Sequence, residues 1–138
     1  WEVLEPIIEL TDYVLYDIKH MDPKEHKDYC GFSNTLILNN ARKIAERGIR
    51  MRIRVPVIPG RNDTPDNFAK TADFIKELNK DGVVDGVDLL PYHPFAGAKY
   101  RLFGLDYPFL EGEGYDLDNM GPFVEVFLER DLEVTVGG

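Results

Sequence analysis

Met51-Arg52-Ile53-Arg54-Val55-Pro56-Val57-Ile58-Pro59-Gly60-Arg61-Asn62-Asp63 decides the fold. Met51, Ile53, Val55 and Val57 recur at period two on one face, and Arg50, Arg52 and Arg54 occupy the alternate positions, the pattern of a strand with an apolar face. Pro59-Gly60 ends it, and Asn62-Asp63-Thr64-Pro65 reads as a turn running into a helix, with Thr64 as N-cap and Pro65 at the first helical position. Three arginines on one face are the ordinary mark of a solvated antiparallel strand. The flanking helical patterns instead predict a parallel strand covered on both faces.

Working outward, Val3, Leu4, Ile7, Ile8 and Leu10 suggest a helix weakened by Pro6. Tyr13 to His20 is a nearly continuous apolar run, expected to be a strand buried on both sides with Asp17 and Lys19 on one face near its end. Ser33 is placed to cap a helix that turns Ile37, Ala41 and Ile44 inward and stops at Gly48. Past the arginine strand, Phe68, Ala72, Ile75 and Leu78 line a second helix, which Asn79-Lys80-Asp81-Gly82 breaks. Val87 to His93 forms the next strand. His93 to Gly114, rich in glycine, proline and aromatics, reads as a loop with a helical turn near Lys99 to Phe103. A helix from about Asn119 to Arg130 is expected to bury Phe123, Val124, Phe127 and Leu128, and Leu132, Val134 and Val136 alternate as a closing strand.

Alternating helices and strands call for an α/β fold with a parallel sheet and right-handed crossovers. The 138 residues suit one domain. Sixteen basic against 25 acidic residues give a net charge of −9, which disfavours nonspecific binding to nucleic acid or an anionic membrane. No apolar run approaches a membrane span, and with no disulfide framework to build, the cytoplasm is the expected compartment. The single cysteine, Cys30, builds neither a disulfide nor a multi-cysteine metal site and has nothing nearby to lower its pKa. The chain opens on Trp1 in what reads as the middle of a helix, and a fragment of a longer protein is expected.

In parallel sheets and barrels, sites gather at the carboxyl ends of the strands. Asp17 and Lys19, Arg54, and His93 end three successive strands. Each has a plain structural reading: a local ion pair for Asp17 and Lys19, an acidic partner for Arg54, a satisfied loop histidine for His93. Together they suit a ligand with a carboxylate, hydroxyls and a ring, because cations hold carboxylates and a carboxylate accepts from hydroxyls.

Asp17-Ile18-Lys19-His20, Gly31-x-Ser33-Asn34 with Ile37-Leu38-x-Asn40, Ile53-Arg54-x-Pro56-x-Ile58-Pro59-Gly60-x-Asn62-Asp63, Leu90-Pro91-Tyr92-His93, and Lys99-Tyr100 followed by Gly104 and Tyr107 together resemble the glycyl-radical-enzyme activating enzymes, radical S-adenosylmethionine proteins of the pyruvate formate-lyase activating type. The resemblance covers roughly residues 10–110. It implies the C-terminal half of a partial TIM-like (β/α)6 barrel, with residues 1–138 one domain fragment. It implies that Asp17, Lys19, Arg54 and His93 bind S-adenosylmethionine, with Asp17 also near a monovalent-cation site. It further implies reductive cleavage of S-adenosylmethionine by a 4Fe-4S cluster to a 5′-deoxyadenosyl radical, which takes a hydrogen from a glycine of a partner glycyl radical enzyme. The setting is anaerobic, with an electron donor such as flavodoxin or ferredoxin.

The sequence departs from the family pattern. The CxxxCxxC motif that holds the cluster and the upstream glycine-rich motif are absent, so the chain alone is expected to be inactive, with cluster ligands in a missing N-terminal part. Gly97 also lies one place later than the pattern expects. A Schiff-base barrel enzyme using Lys19, a nucleoside-binding module without chemistry, and a radical S-adenosylmethionine enzyme of another subclass stand as alternatives. Exposed apolar surface at a strand edge is expected to promote self-association.

Overall fold

The computed structural model describes residues 1–107 and 114–137. Its elements, in order, are α1 (Glu5–Ile8), β1 (Tyr13–Asp17), α2 (Pro23–Cys30), α3 (Thr35–Glu46), β2 (Arg50–Val57), α4 (Pro65–Leu78), β3 (Val84–Pro91), α5 (Phe95–Leu102), α6 (Gly121–Leu128) and β4 (Val134–Val136), with 3-10 turns at Asn79–Asp81 and Leu117–Met120. The strands form one parallel sheet in the order β1-β2-β3-β4. Chain order equals sheet order. Right-handed crossovers in such a sheet all return on the same side, so the helices gather on one face.

β2 shows this directly: Met51, Ile53, Val55 and Val57 are buried, whereas Arg52, Arg54 and Pro56 are half-buried and Arg50 is exposed. The buried row packs into a core with Ala41 and Ile44 of α3, Phe68, Ala72 and Ile75 of α4, and Phe123 and Phe127 of α6. Phe68 stacks on Phe123 at 4.4 Å between ring centroids and meets Phe127 edge-on at 6.0 Å, geometries that suit the ring quadrupoles. Thr64 caps α4 as expected, its hydroxyl accepting from Asn67 N–H at 3.3 Å. Gly31 ends α2 with φ +84°, a conformation that a Cβ disfavours.

The expectation that the sheet is covered on both faces fails. Tyr13 and Leu15 are 38 and 54% exposed on the uncovered side, because α3, α4 and α6 pack against the other face. β1 also ends at Asp17 rather than continuing to His20. β3 begins at Val84, three residues before the apolar run, and α5 is a helix of eight residues where a loop with one turn was expected. In α6, Leu128 points outward at 55% exposure and Val124 is only partly buried. The remainder of the expected His93–Gly114 loop includes residues 108–113, which lie outside the described residues.

Candidate functional site

The uncovered face carries an ordered row of polar side chains. Register aligns Asp17, Arg54, Asp88 and Thr135 across β1, β2, β3 and β4. Arg54 lies between two carboxylates and bonds one of them: its Nε donates to Asp17 Oδ1 at 2.8 Å. The other is committed elsewhere. Asp88, 6% exposed, accepts from Arg52 Nε at 2.6 Å and from the Thr135 hydroxyl at 2.6 Å. Arg52 also donates to Thr135 Oγ1 at 3.2 Å and lies 3.7 Å from Asp85. The hydrogen bond to Asp88 is the main reason the Arg52 guanidinium is held above its already high pKa. Gly86 makes this possible, since a Cβ there would stand 2.5 Å from Arg52 Nη1. Asp85 in turn accepts from the Tyr13 hydroxyl at 2.8 Å, so hydrogen bonds across the uncovered face connect β1, β2, β3 and β4.

Toward the carboxyl ends of the strands, the chain leaves the sheet over a cleft of about 340 Å³ lined by Lys19, Tyr29, Ile58, Arg61, Asn62 and Tyr100, among others. Lys19 is exposed there, two residues past β1. Arg61 lies over the Tyr29 ring at 5.1 Å. His93 follows the end of β3 by two residues, beside Gly114. The structure thus joins Asp17 to Arg54 and sets Lys19 and His93 at the carboxyl ends of the strands on either side of β2. Tyr92 and Tyr107, nearby, share a 2.6 Å hydroxyl contact. Burial, then that bond, pushes the Tyr107 hydroxyl up to about 12.

Three buried asparagines organise the backbone next to Lys19. Asn34, Asn62 and Asn67 are each 3% exposed. Asn62 Nδ2 donates to Lys19 O at 2.8 Å and to Pro56 O at 2.5 Å, while its Oδ1 accepts from Ile58 N–H at 2.8 Å. Asn34 Nδ2 donates to His20 O at 2.9 Å and Met21 O at 2.8 Å. Asn67 Oδ1 accepts from Met21 N–H at 2.8 Å, and its Nδ2 donates to Asn62 O at 3.0 Å. Asn34 is the formal N-cap of α3 yet makes no side-chain cap bond; its amide is spent on the β1–α2 connection instead. The expected cap, Ser33, accepts from Thr35 N–H at 3.2 Å. His20 is buried and its Nδ1 accepts from Asp22 N–H at 3.0 Å. Burial first, partly opposed by nearby Glu25 and Asp22, lowers its pKa.

Sequence reasoning passed over Arg52, Asp88 and Thr135 as a unit, and over the asparagines as anything beyond turn and cap residues. An aspartate inside the apolar Val87–Leu90 run is the signal that pointed to the first, because a buried carboxylate demands a cation. For the second, no periodicity carries the information.

No family model matches the chain. Among curated proteins it is 32% identical, over 99% of its own length, to the 4-hydroxyphenylacetate decarboxylase activating enzyme of Clostridioides difficile, covering 42% of that protein. It is 35% identical over 80% of its length to the choline trimethylamine-lyase activating enzyme of Oleidesulfovibrio alaskensis, covering 36%. It is 39% identical over 78% of its length to the (2S)-3-sulfopropanediol dehydratase activating enzyme of Klebsiella oxytoca, covering 33%. The chain therefore spans about two fifths or less of the length of these relatives. A crystal structure of a domain of pyruvate-formate lyase-activating enzyme from Bacteroides vulgatus superimposes with a TM-score of 0.77 at 26% identity, over 99% of this chain and 74% of that one. A radical SAM methyltransferase from Sphaerobacter thermophilus, 15% identical, shares the fold with a TM-score of 0.58 over 95% of this chain and 37% of that one. By sequence and by its four-stranded parallel sheet, the chain is similar, over most or all of its length, to part of the glycyl-radical-enzyme activating enzymes.

Proposed function

We propose that the protein carrying this chain activates a glycyl radical enzyme, and that Asp17, Lys19, Arg54 and His93 form part of its S-adenosylmethionine site. The observation that carries this reading is the Asp17–Arg54 pair on the uncovered face, with Lys19 and His93 each two residues past the carboxyl end of a strand flanking β2. The donor set suits the ligand. Among the described residues, no group accepts from the terminal nitrogens of Arg54, so its planar fork can receive a carboxylate while Asp17 holds Nε. Asp17, 39% exposed, has acceptor capacity for ribose hydroxyls or a monovalent cation, Lys19 offers a second cation, and His93 can bond or stack against a base. S-adenosylmethionine, when bound, would supply the group that removes a hydrogen atom from a glycine of the partner. The chain's own residues bind and orient it.

A 4Fe-4S cluster does not fit these residues. Cys30 is the single cysteine, and among the described residues no group of three or more His, Cys, Asp or Glu side chains is placed to hold a metal. The cluster ligands in our reading come from outside the 138 residues. We further infer that residues 1–138 form a single domain fragment, the C-terminal half of a partial (β/α)6 barrel whose lumen is the uncovered face. The strand order and the one-sided helices support this. The partner is a protein, a glycyl radical enzyme, and a flavodoxin or ferredoxin is the electron donor we propose, in the cytoplasm. No helix among the described residues is long and apolar enough to cross a membrane. The Schiff-base alternative draws no support from the geometry, because Lys19 is exposed whereas a lysine nucleophile of that kind is desolvated or set beside another cation.

The test uses the natural gene product that contains this chain. Lys19→Ala and His93→Ala are expected to weaken S-adenosylmethionine binding with iron content intact. Glycyl radical formation on the partner, read by electron paramagnetic resonance, falls accordingly. Unchanged affinity in both variants removes the site assignment.

A further inference from the structure

We infer that Asn34, Asn62 and Asn67 are positioning residues that aim Lys19 into the cleft by fixing the backbone of residues 19–21. The inference rests on the S-adenosylmethionine reading for what Lys19 does, and on geometry alone for how it is held. Four of the five backbone polar groups from Lys19 O to Met21 O, namely Lys19 O, His20 O, Met21 N–H and Met21 O, bond to these three side chains at 2.8 to 2.9 Å. The three asparagines come from different elements: the start of α3, the β2–α4 connection and the first turn of α4.

The chemistry dictates the orientation of each amide. Asn62 faces two carbonyls with its nitrogen and an N–H with its oxygen, an arrangement satisfied in one flip state only. Asn34 directs its nitrogen at two carbonyls, and Asn67 meets an N–H with oxygen and a carbonyl with nitrogen. Asparagine is the residue this task needs, because one short, planar group both donates and accepts. Aspartate has the same shape and no donor. The network also links the segments to each other, since Asn67 holds Asn62 O and Asn62 holds both Lys19 O and Pro56 O. Pro56 lies two residues beyond Arg54 on β2. Just past the last ladder bond between the strands, Ile18 N–H to Arg54 O at 2.9 Å, one amide nitrogen therefore joins Lys19 O to Pro56 O. A displacement of about 1 Å at a binding group can cost as much as about a hundredfold, and Lys19, on an exposed connection, has no strand pairing to prevent it.

The experiment replaces each amide by its isosteric acid in the natural gene product. Asn34→Asp loses two donors to the 19–21 backbone, Asn62→Asp loses one to it and one to Pro56, and Asn67→Asp keeps its acceptor for Met21 N–H and loses the donor to Asn62. Asn39→Asp, at an exposed position of α3, controls for added charge. Three quantities are read: hydrogen exchange at the Met21 amide, S-adenosylmethionine affinity at constant iron content, and the urea midpoint. We expect faster local exchange and affinity weakened by about ten- to a hundredfold in Asn34→Asp and Asn62→Asp, a smaller loss in Asn67→Asp, and none in Asn39→Asp. If local exchange rises in Asn34→Asp and Asn62→Asp while affinity stays at the wild-type level, and Lys19→Ala still weakens binding, the positioning role is refuted and the site assignment survives. If Lys19→Ala leaves affinity unchanged, the site assignment fails first and this inference falls with it. Affinity that follows the urea midpoint across the series instead of the local exchange rate also overturns it. Should Asn62→Asp fail to fold, Asn34→Asp and Asn67→Asp carry the comparison.

Discussion

Removing Arg52 should cost far more stability than removing Arg54, although both are arginines on the same strand paired to an aspartate. Arg52 and its partner Asp88 have side chains 23 and 9% exposed; for Arg54 and Asp17 the values are 36 and 39%. Breaking a buried pair by deleting one partner costs about 3–5 kcal/mol, because the other charge is left desolvated and unpaired. Here the hydroxyl of Thr135 still donates to Asp88, and Arg52 is partly hydrated, so Arg52→Met, which keeps the aliphatic stem, is expected to cost about 2–3 kcal/mol. The more exposed Arg54→Met should cost about 0–1 kcal/mol. Asp88→Asn leaves Arg52 free to turn to Asp85 and solvent and should cost about 1–2 kcal/mol. The assay is urea unfolding of the four single and double variants, which gives the coupling energy directly. For a chain of this size, the Arg52→Met loss corresponds to a melting temperature lowered by about 6–12 °C. Equal costs for Arg52→Met and Arg54→Met, or a coupling with Asp88→Asn below about 0.5 kcal/mol, would refute the argument.

Three further outcomes can be checked on the same protein. Gly86→Ala drives a methyl into the Arg52 guanidinium and should cost about 1–3 kcal/mol in urea unfolding; the part due to that clash should be lost in an Arg52→Ala background, leaving the strain of a Cβ at φ +159°, and an undiminished cost there would refute the clash. Phe68→Ala removes a wholly buried ring that contacts Phe123 and Phe127 and should lower stability by about 3–5 kcal/mol, with a loss under about 1 kcal/mol marking a misplaced core. His20, its pKa lowered by burial, takes up its proton more readily when unfolded, so its neutral form favours the fold; stability should be steady above about pH 6.5 and fall as pH drops below it. His20→Gln should flatten that slope in a pH series of melting curves.

The period-two pattern of β2 and the inward faces of α3 and α4 were readable because helix and strand periods differ and the burial they imply is local. What covers a face is not local. Tyr13 to Asp17 reads as an interior strand because it is apolar, yet apolarity does not say whether the covering atoms are supplied by helices of the same chain. β3 begins earlier than its apolar run because Asp85 and Gly86, which resemble turn residues, are shaped to receive Arg52. α5 was hidden by Pro94 and Gly97, and Leu128 by an assumed helix face rotated from the real one. Among the proposed site residues, the positions of Asp17, Lys19 and His93 at or just past strand ends were legible from topology, whereas Arg54, expected at the end of its strand, lies three residues before the end of β2 at Val57, because the ladder with β3 runs on past it. The Asp17–Arg54 bond depended on a register that no sequence pattern states. The asparagine network was illegible for the same reason, since Asn62 and Asn67 meet Lys19 and Met21 only after β1 and β2 have paired across the intervening helices.

The amide network has a consequence for ionic strength. Its bonds join neutral groups buried from ions, so dissolved salt has no charge there to screen, whereas the half-exposed Asp17–Arg54 pair and the exposed Lys19 lie where screening acts over about 8 Å at physiological salt. Frame and field are thereby separable: salt alters how strongly the charged groups of a ligand are drawn in, while the direction in which Lys19 leaves the backbone stays the same from dilute buffer to brine.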